Sequence, residues 1–332
     1  MNRYDGRSWA YLEPNPGWFL VRWWWRFKLW FRYGWSQWRA EDLITDSRKK
    51  WETLYSSDRS FTSVASVVHD SGFDVFAGET AESLLKSNNI DGNFRREIFN
   101  PWVRGRYAQN LDTISALGAF MAADNSARLT ISDGGMAGLW EGMVNSSAAT
   151  VHLNTNVIGL RRGSWGGWVL ASSSQSGGES YEAFDAVVLA TPWSLTNLEI
   201  KGDALHATPQ NISYAEIYIT LFTSAHGLAG GRFSGQKGIP GLVLTTPCSW
   251  EYEYISGGTG KDGMGHAPFW SLSRVKDIMR AGKREYVYKV VSAKQLSDDD
   301  IQKMLGGREK SFSWVYRYYV SYRLYPLLTL HI

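Results

Sequence analysis

The stretch from residue 129 to residue 192 limits the possible folds of this chain more than any other. Leu129-Thr-Ile-Ser reads as a short strand, Asp133-Gly-Gly as a turn, and Met136–Ser146 as a helix with Leu139 and Met143 on one face. Val151-His-Leu-Asn-Thr-Asn-Val-Ile-Gly-Leu is strand-like. Gly163, Gly166 and Gly167 turn the chain into Trp168-Val-Leu-Ala, and Gly177-Gly178 turn it again into Ser180-Tyr-Glu-Ala, a three-stranded meander by its spacing. Next comes Phe184-Asp-Ala-Val-Val-Leu-Ala-Thr-Pro. Four successive apolar residues, Ala186 to Leu189, predict a parallel strand buried on both faces and ended by Pro192. The sequence on either side adds helices before this stretch and strands after it, so an α/β fold, mixed with α+β character, is expected.

The first third reads as mainly helical. Trp18 to Tyr33 (WFLVRWWWRFKLWFRY) is the oddest segment. At 100° per residue, Phe19, Leu20, Trp23, Trp24, Phe27, Trp30 and Phe31 share one charge-free arc of roughly 140°. Such a helix either lies in a membrane interface with its basic residues near lipid phosphates, or packs its broad face on its own domain while Arg stems reach out to water. The second reading is preferred. Further helices are predicted at Trp38–Tyr55, Phe61–His69, Thr80–Lys86 and Asn93–Asn100, separated by Ser, Gly and Asn. After Tyr214, strand-like runs recur at Ile217-Tyr-Ile-Thr-Leu-Phe, Gly241-Leu-Val-Leu-Thr-Thr and Tyr286-Val-Tyr-Lys-Val-Val. Ser297-Asp-Asp-Asp has the form of a capping box opening a helix that reaches Leu305.

Several kinds of chemistry receive no support. Thirty-five Lys and Arg against 32 Asp and Glu, with no long basic runs, give no footprint for a nucleic-acid partner. Cys248 is the lone cysteine, which excludes an internal disulfide, a thiolate metal cage and a CxxC redox pair. The six His show no HxxxH spacing, so no metal site is expected. There is no GxSxG elbow. Gly257-Gly-Thr-Gly-Lys-Asp-Gly-Met-Gly fails as a phosphate loop, because Ile255 stands where the opening Gly belongs and Asp262 follows the Lys; a flexible surface loop is expected there. The residues after Met1 show no apolar signal core, and no run of 18 uncharged apolar residues occurs. Asn145-Ser-Ser and Asn211-Ile-Ser are potential glycosylation acceptors. With protein-borne nucleophiles and metals unsupported, an enzyme of this sequence would rely on a bound cofactor. An aromatic content of 14% can fill the core or line a pocket for an extended apolar ligand.

Asp133-Gly-Gly-Met, the helix after it, Leu153-Asn-Thr-Asn-Val-Ile-Gly-Leu-Arg, the meander and Ala186-Val-Val-Leu-Ala-Thr-Pro are, in that order, similar to flavoprotein amine oxidases. Within that superfamily the flanks resemble the prenylcysteine oxidase (prenylcysteine lyase) family: Phe61-Thr-Ser-Val-Ala-Ser-Val-Val-His, Pro101-Trp-Val-Arg-Gly-Arg-Tyr-Ala-Gln, Gly241-Leu-Val-Leu-Thr-Thr, Tyr286-Val-Tyr-Lys-Val-Val-Ser, Trp314 and Tyr325-Pro326. Arg104, Tyr107 and Gln109 match the family's Arg-Val-Asn-Tyr-Gly-Gln stretch. Arg106 replaces its Asn and Ala108 its Gly.

The resemblance implies FAD as cofactor, held in part by Gly134, Gly135, Val157, Thr191 and Pro192, with the backbone of Val157 at the adenine end. It implies a farnesyl- or geranylgeranyl-cysteine substrate, a lysosomal or vacuolar lumen as the place of work, and Arg104, Tyr107 and Gln109 near the substrate head group. For those three, a structural turn is an equal alternative. It further implies residues 1–126 as the helical part of a substrate domain, 127–204 as a partial FAD-binding domain and 205–332 as the sheet part. One departure stands out. The family opens with a strand, a GxGxxG turn and a helix that hold the FAD pyrophosphate; no such unit is read at the start of this sequence, and its one GxGxxG spelling, Gly258-Thr-Gly-Lys-Asp-Gly263, lies inside the glycine-rich segment expected to be a surface loop. The family pattern also runs on past Tyr325-Pro326. A doubly wound domain lacking its first βαβ unit, from a chain truncated at both ends and inactive as it stands, is therefore the expectation. A non-catalytic isoprenoid- or membrane-surface-binding protein, with contact through residues 18–33, and a flavin amine oxidase are the alternatives.

Overall fold

A computed structural model describes residues 2–4, 9–11, 19–124, 135–174, 177–202, 214–229, 241–252, 258 and 261–321. The described chain opens with two short strands, β1 (Asn2–Tyr4) and β2 (Trp9–Tyr11). The helices α1 (Phe19–Tyr33), α2 (Ser36–Ser56), α3 (Val64–Asp70), α4 (Asp74–Gly78) and α5 (Ala81–Ser87) follow. Ser63 caps α3 and Thr80 caps α5, each through a side-chain oxygen accepting from a backbone N–H in the first turn. The helix expected at Asn93–Asn100 is broken into three pieces: a single turn α6 (Gly92–Phe94), a π-helical turn at Arg95–Phe99, and α7 (Asn100–Tyr107) with Pro101 in its first turn. Helix α8 (Ala116–Ala123) closes the helical part.

Then come α9 (Gly135–Ser146) and the strands β3 (Thr155–Arg162), β4 (Trp168–Ser174), β5 (Glu179–Phe184) and β6 (Glu199–Lys201). The last part holds β7 (Tyr214–Ser224), β8 (Leu242–Thr245), the turn α10 (Lys261–Met264), β9 (Ser271–Arg280), β10 (Lys283–Ser292), α11 (Asp298–Met304) and β11 (Phe312–Ser321). The Ser297 box closes as the sequence predicts, with Ser297 and Asp300 bonding reciprocally.

The chain divides into two compact units, one formed by residues 1–126 with 214–332 and the other by 127–213. In the first, seven strands run in the order β11-β7-β10-β9-β8-β1-β2. All neighbours are antiparallel except β1 and β8. The β9–β10 hairpin turns at Ala281 and Gly282, both at positive φ, the two-residue geometry that matches strand twist. The helices pack around Phe73, Phe76, Phe99, Phe120, Leu85 and Val103. The sheet buries Phe222, Val243, Phe269, Leu272 and Val290 against Ile301 and Leu305. Helix α7 approaches β8 so closely that a Cβ on Gly105 would stand 2.5 Å from Leu244.

The second unit is the meander β5-β4-β3, with β6 added parallel to β3 at Gly159–Arg161. The expected Leu129–Ser132 strand lies outside the described residues. The parallel strand expected at Ala186–Leu189 does not form. That segment is irregular, with Val188 88% exposed. An apolar run becomes a buried strand only where neighbours satisfy its backbone; here the parallel edge of β3 is taken by β6 instead.

Candidate functional site

Three of the expected site residues fall at the C-terminal end of α7 and the turn after it. Arg104 is fully buried. Its guanidinium donates to Asn110 Oδ1 at 2.7 Å and to the carbonyls of Gly263 and Met264 at 2.9 and 2.7 Å, and it stacks on the Trp270 ring at 4.4 Å. Asn110 also donates to Gly263 O at 2.8 Å, while Asn100 Oδ1 accepts from the backbone of Leu111 at 3.1 Å. Thr245 Oγ1 on β8 donates to Phe269 O at 2.7 Å. The planar fork of Arg thus clasps the helical layer to the sheet, a task Lys cannot perform with one point charge. Gln109 is buried beside it, and Tyr107 is half-buried against the helical core. Ala108, between them, caps α7 at φ 52° and ψ 38°, the left-handed position where Gly is common.

The Gly-rich segment meets this clasp. Residues 253–257, 259 and 260 are outside the described set, but Gly263 and Met264 are buried and supply two of the acceptors. A flexible surface loop does not describe that end: burying the Arg104 charge requires fixed carbonyls around it.

A second clasp gathers on Glu97, which lies in the π-helical turn and is 1% exposed. It accepts from Arg32 at 2.9 and 2.7 Å and from the Tyr33 hydroxyl at 2.7 Å, and pairs with Arg96. Burial, together with the Glu97 carboxylate beside it, pushes the Tyr33 phenol far above the usual range. This anchors the C-terminal end of α1. Helices with such π turns often carry function, and next to this one a cleft of about 410 Å³ is lined by Glu82, Lys86, Arg95, Arg96, Asp112 and Tyr252 among others. Glu82 accepts from Arg95 Nε and from the Tyr252 hydroxyl, both at 2.9 Å. Burial first, then the Glu82 charge, raises the Tyr252 phenol well above its usual value. Charges of both signs suit a small zwitterion and not a long apolar tail. Arg104, Tyr107 and Gln109 do not line this cleft. Glu251, also buried, accepts from the backbone of Cys248 at 3.0 Å and of His266 at 2.9 Å and contacts the His266 ring. Sequence reasoning passed over Asn110, Glu97, Glu251 and Trp270. Glu97 meets Arg32 across 65 residues and Asn110 meets Gly263 across 153, and the only local hint is that Asn110 directly follows Gln109.

In the second unit, Val157 sits on β3 opposite Ser172, at a bulge, and is 40% exposed. Because β6 covers only Gly159–Arg161, the outer edge of Thr155–Val157 has no strand partner among the described residues. A cavity of about 480 Å³ lies over the meander, lined by residues of all three of its strands, Thr155, Val157, Ser172, Glu179 and Phe184 among others. The open edge of Thr155–Val157 offers backbone groups to a flat heterocycle such as adenine. Gly135 opens α9 at φ 60°; Gly134 is outside the described residues; Thr191 and Pro192 are exposed, just before a 3₁₀ turn at Trp193–Leu195. Backbone contact at Val157 is what these residues offer FAD, and the one GxGxxG spelling in the sequence, Gly258-Thr-Gly-Lys-Asp-Gly263, belongs to the first unit and runs into α10, a turn of four residues, too short to give the helix N-terminus that a pyrophosphate needs. Among the described residues, no group of three His, Cys, Asp or Glu is placed to hold a metal, and no helix is long and apolar enough to cross a membrane.

The fold and these features define a two-unit α/β protein with a clasped helix-on-sheet body and a separate meander unit. The chain belongs to the prenylcysteine lyase family, whose profile matches residues 19–330. Among curated proteins it is 27% identical over 154 residues to prenylcysteine oxidase 1 of Homo sapiens, covering 45% of this chain and 30% of that one. It is 25% identical over 195 residues to prenylcysteine oxidase 1-like of Mus musculus, covering 56% and 39%. For prenylcysteine oxidase 1 of Bos taurus the figures are 29% over 138 residues, 40% and 26%. The matched stretches thus span less than two-fifths of each of these relatives.

Proposed function

We propose that this chain supplies part of an FAD-dependent thioether oxidase that converts S-farnesyl- or S-geranylgeranyl-cysteine, water and oxygen into cysteine, an isoprenoid aldehyde and hydrogen peroxide. What supports the reading is family membership over residues 19–330, together with the open edge at Val157. FAD, when bound, supplies the acceptor for the hydride that leaves the carbon next to sulfur. In this reading Val157 meets the adenine through its backbone, with Gly134, Gly135, Thr191 and Pro192 shaping the rest of that contact. Arg104 and Gln109 act by fixing the turn after α7, and Tyr107 is the member of the trio with surface left to meet a head group. The same reading places the protein in a lysosomal or vacuolar lumen. Asn145, exposed at the end of α9, is then expected to carry a glycan.

The test uses the full-length product of the gene, loaded with FAD and given farnesyl-cysteine. Release of peroxide and farnesal in equal amounts is expected. Flavin-loaded protein that turns over a simple amine and leaves farnesyl-cysteine untouched would defeat the thioether reading in favour of an amine oxidase. Tight binding of farnesyl-cysteine without peroxide would instead favour a non-catalytic isoprenoid binder.

A further inference from the structure

We propose that the aromatic face of α1 docks this protein on an anionic phospholipid surface, independently of the thioether chemistry. Five residues of the broad face of α1 are not packed on the protein, contrary to the preferred sequence reading. Leu29 and Tyr33 meet the helical core. Trp23, Trp24, Phe27, Trp30 and Phe31 are exposed by 41% to 81%. On a helical projection these five span roughly 120°, centred about 140° away from Leu29 and Tyr33. The rings are ordered against one another: Phe27 lies 6.0 Å from Trp23, 5.8 Å from Trp24 and 6.1 Å from Trp30, and Trp30 lies 6.5 Å from Trp35. Trp35 and Trp38, both exposed, extend the patch onto the start of α2.

Charge decides the occupant. The exposed Arg26 and Lys28 border the arc on opposite sides, Lys28 with its ammonium 5.4 Å from the Trp24 ring, and α1 holds no acidic residue. A second copy seated face to face would set these cations against their own equivalents with no carboxylate on α1 to answer them. Lipid phosphates and serine headgroups meet both requirements. Indole rings sit at the depth of the headgroups, flanking Lys and Arg reach the phosphates, and a helix lying flat needs no groove. The Glu97 clasp holds the C-terminal end of the helix by Arg32 and Tyr33, so the arc is presented as a fixed surface.

The experiment is sedimentation of the 332-residue chain with vesicles of pure phosphatidylcholine or of phosphatidylcholine enriched in phosphatidylserine. Stronger pelleting on the serine-containing vesicles, weakened by salt, is expected. Arg26→Gln with Lys28→Gln should weaken it roughly 30-fold, from about fivefold per cation at a negative surface. Trp23→Ser, Trp24→Ser and Phe27→Ser together should reduce it on the order of a hundredfold or more. All five positions are solvent-exposed, and unchanged far-ultraviolet circular dichroism checks that the variants fold. Equal pelleting of wild type and the aromatic variant overturns the proposal. So does a wild type that ignores the vesicles, or one that forms a dimer abolished by the same three substitutions.

Discussion

Replacing Arg104 measures how much of the first unit's stability rests on one side chain. In Arg104→Ala, two main-chain carbonyls, at Gly263 and Met264, and the side chain of Asn110 lose a charged donor, and the Trp270 ring loses its stacked cation. A hydrogen bond to a charged group is worth about 1.5–3 kcal/mol net. Leaving three buried acceptors without their charged donor, at about 1–3 kcal/mol each, costs roughly 3–5 kcal/mol in all, since such terms do not add. With a urea slope of about 2 kcal/mol/M, the unfolding midpoint should fall by on the order of 2 M. Arg104→Lys keeps the charge but not the fork, and should lose about half as much. The assay is equilibrium urea unfolding followed by far-ultraviolet circular dichroism. A loss below about 1 kcal/mol in Arg104→Ala would refute the clasp, given the energies above. It would return Arg104 to the role of a ligand-facing residue.

Three further outcomes follow from the structure. A Cβ on Gly263 would stand 2.4 Å from the carbonyl oxygen of Gly258; backbone cannot swing aside as a side chain can, so Gly263→Ala should destabilise by about 1–3 kcal/mol in the same unfolding assay. Ala281 turns the β9–β10 hairpin at φ 47°, and Ala281→Asn should raise stability by roughly 0.5–1 kcal/mol, read as a higher urea midpoint, because Asn tolerates that conformation. Tyr252 holds its proton more tightly folded than unfolded, so its contribution is complete below the ordinary phenol value and falls as pH rises past about 10, by about 1.4 kcal/mol per pH unit. Tyr252→Phe should flatten that alkaline decline in unfolding free energy. An unchanged slope would mean that the phenol is not buried against Glu82.

What local signals encode was legible. The capping box of Ser297 and the 3.6-residue spacing of apolar side chains place helices by contacts within four residues. The glycine pairs of the meander likewise turn strands that are neighbours in the chain. A strand with a charged sequence and an atypical turn was not legible. Ser271–Arg280 carries too many charges to look like an inner strand, and its hairpin turns on Ala-Gly where Asn-Gly is the usual signal.

The sequence by itself determined the family and the α/β class, and it named Arg104, Tyr107 and Gln109 as candidates. Only the tertiary structure decided what they do. Arg104 meets Gly263 across 159 residues and Arg32 meets Glu97 across 65, and nothing near either residue announces its partner. The direction of the α1 aromatic arc and the fate of Ala186–Leu189 were settled the same way. A hydrophobic pattern states which side chains avoid water; whether another surface stands there to receive them is a property of the folded chain.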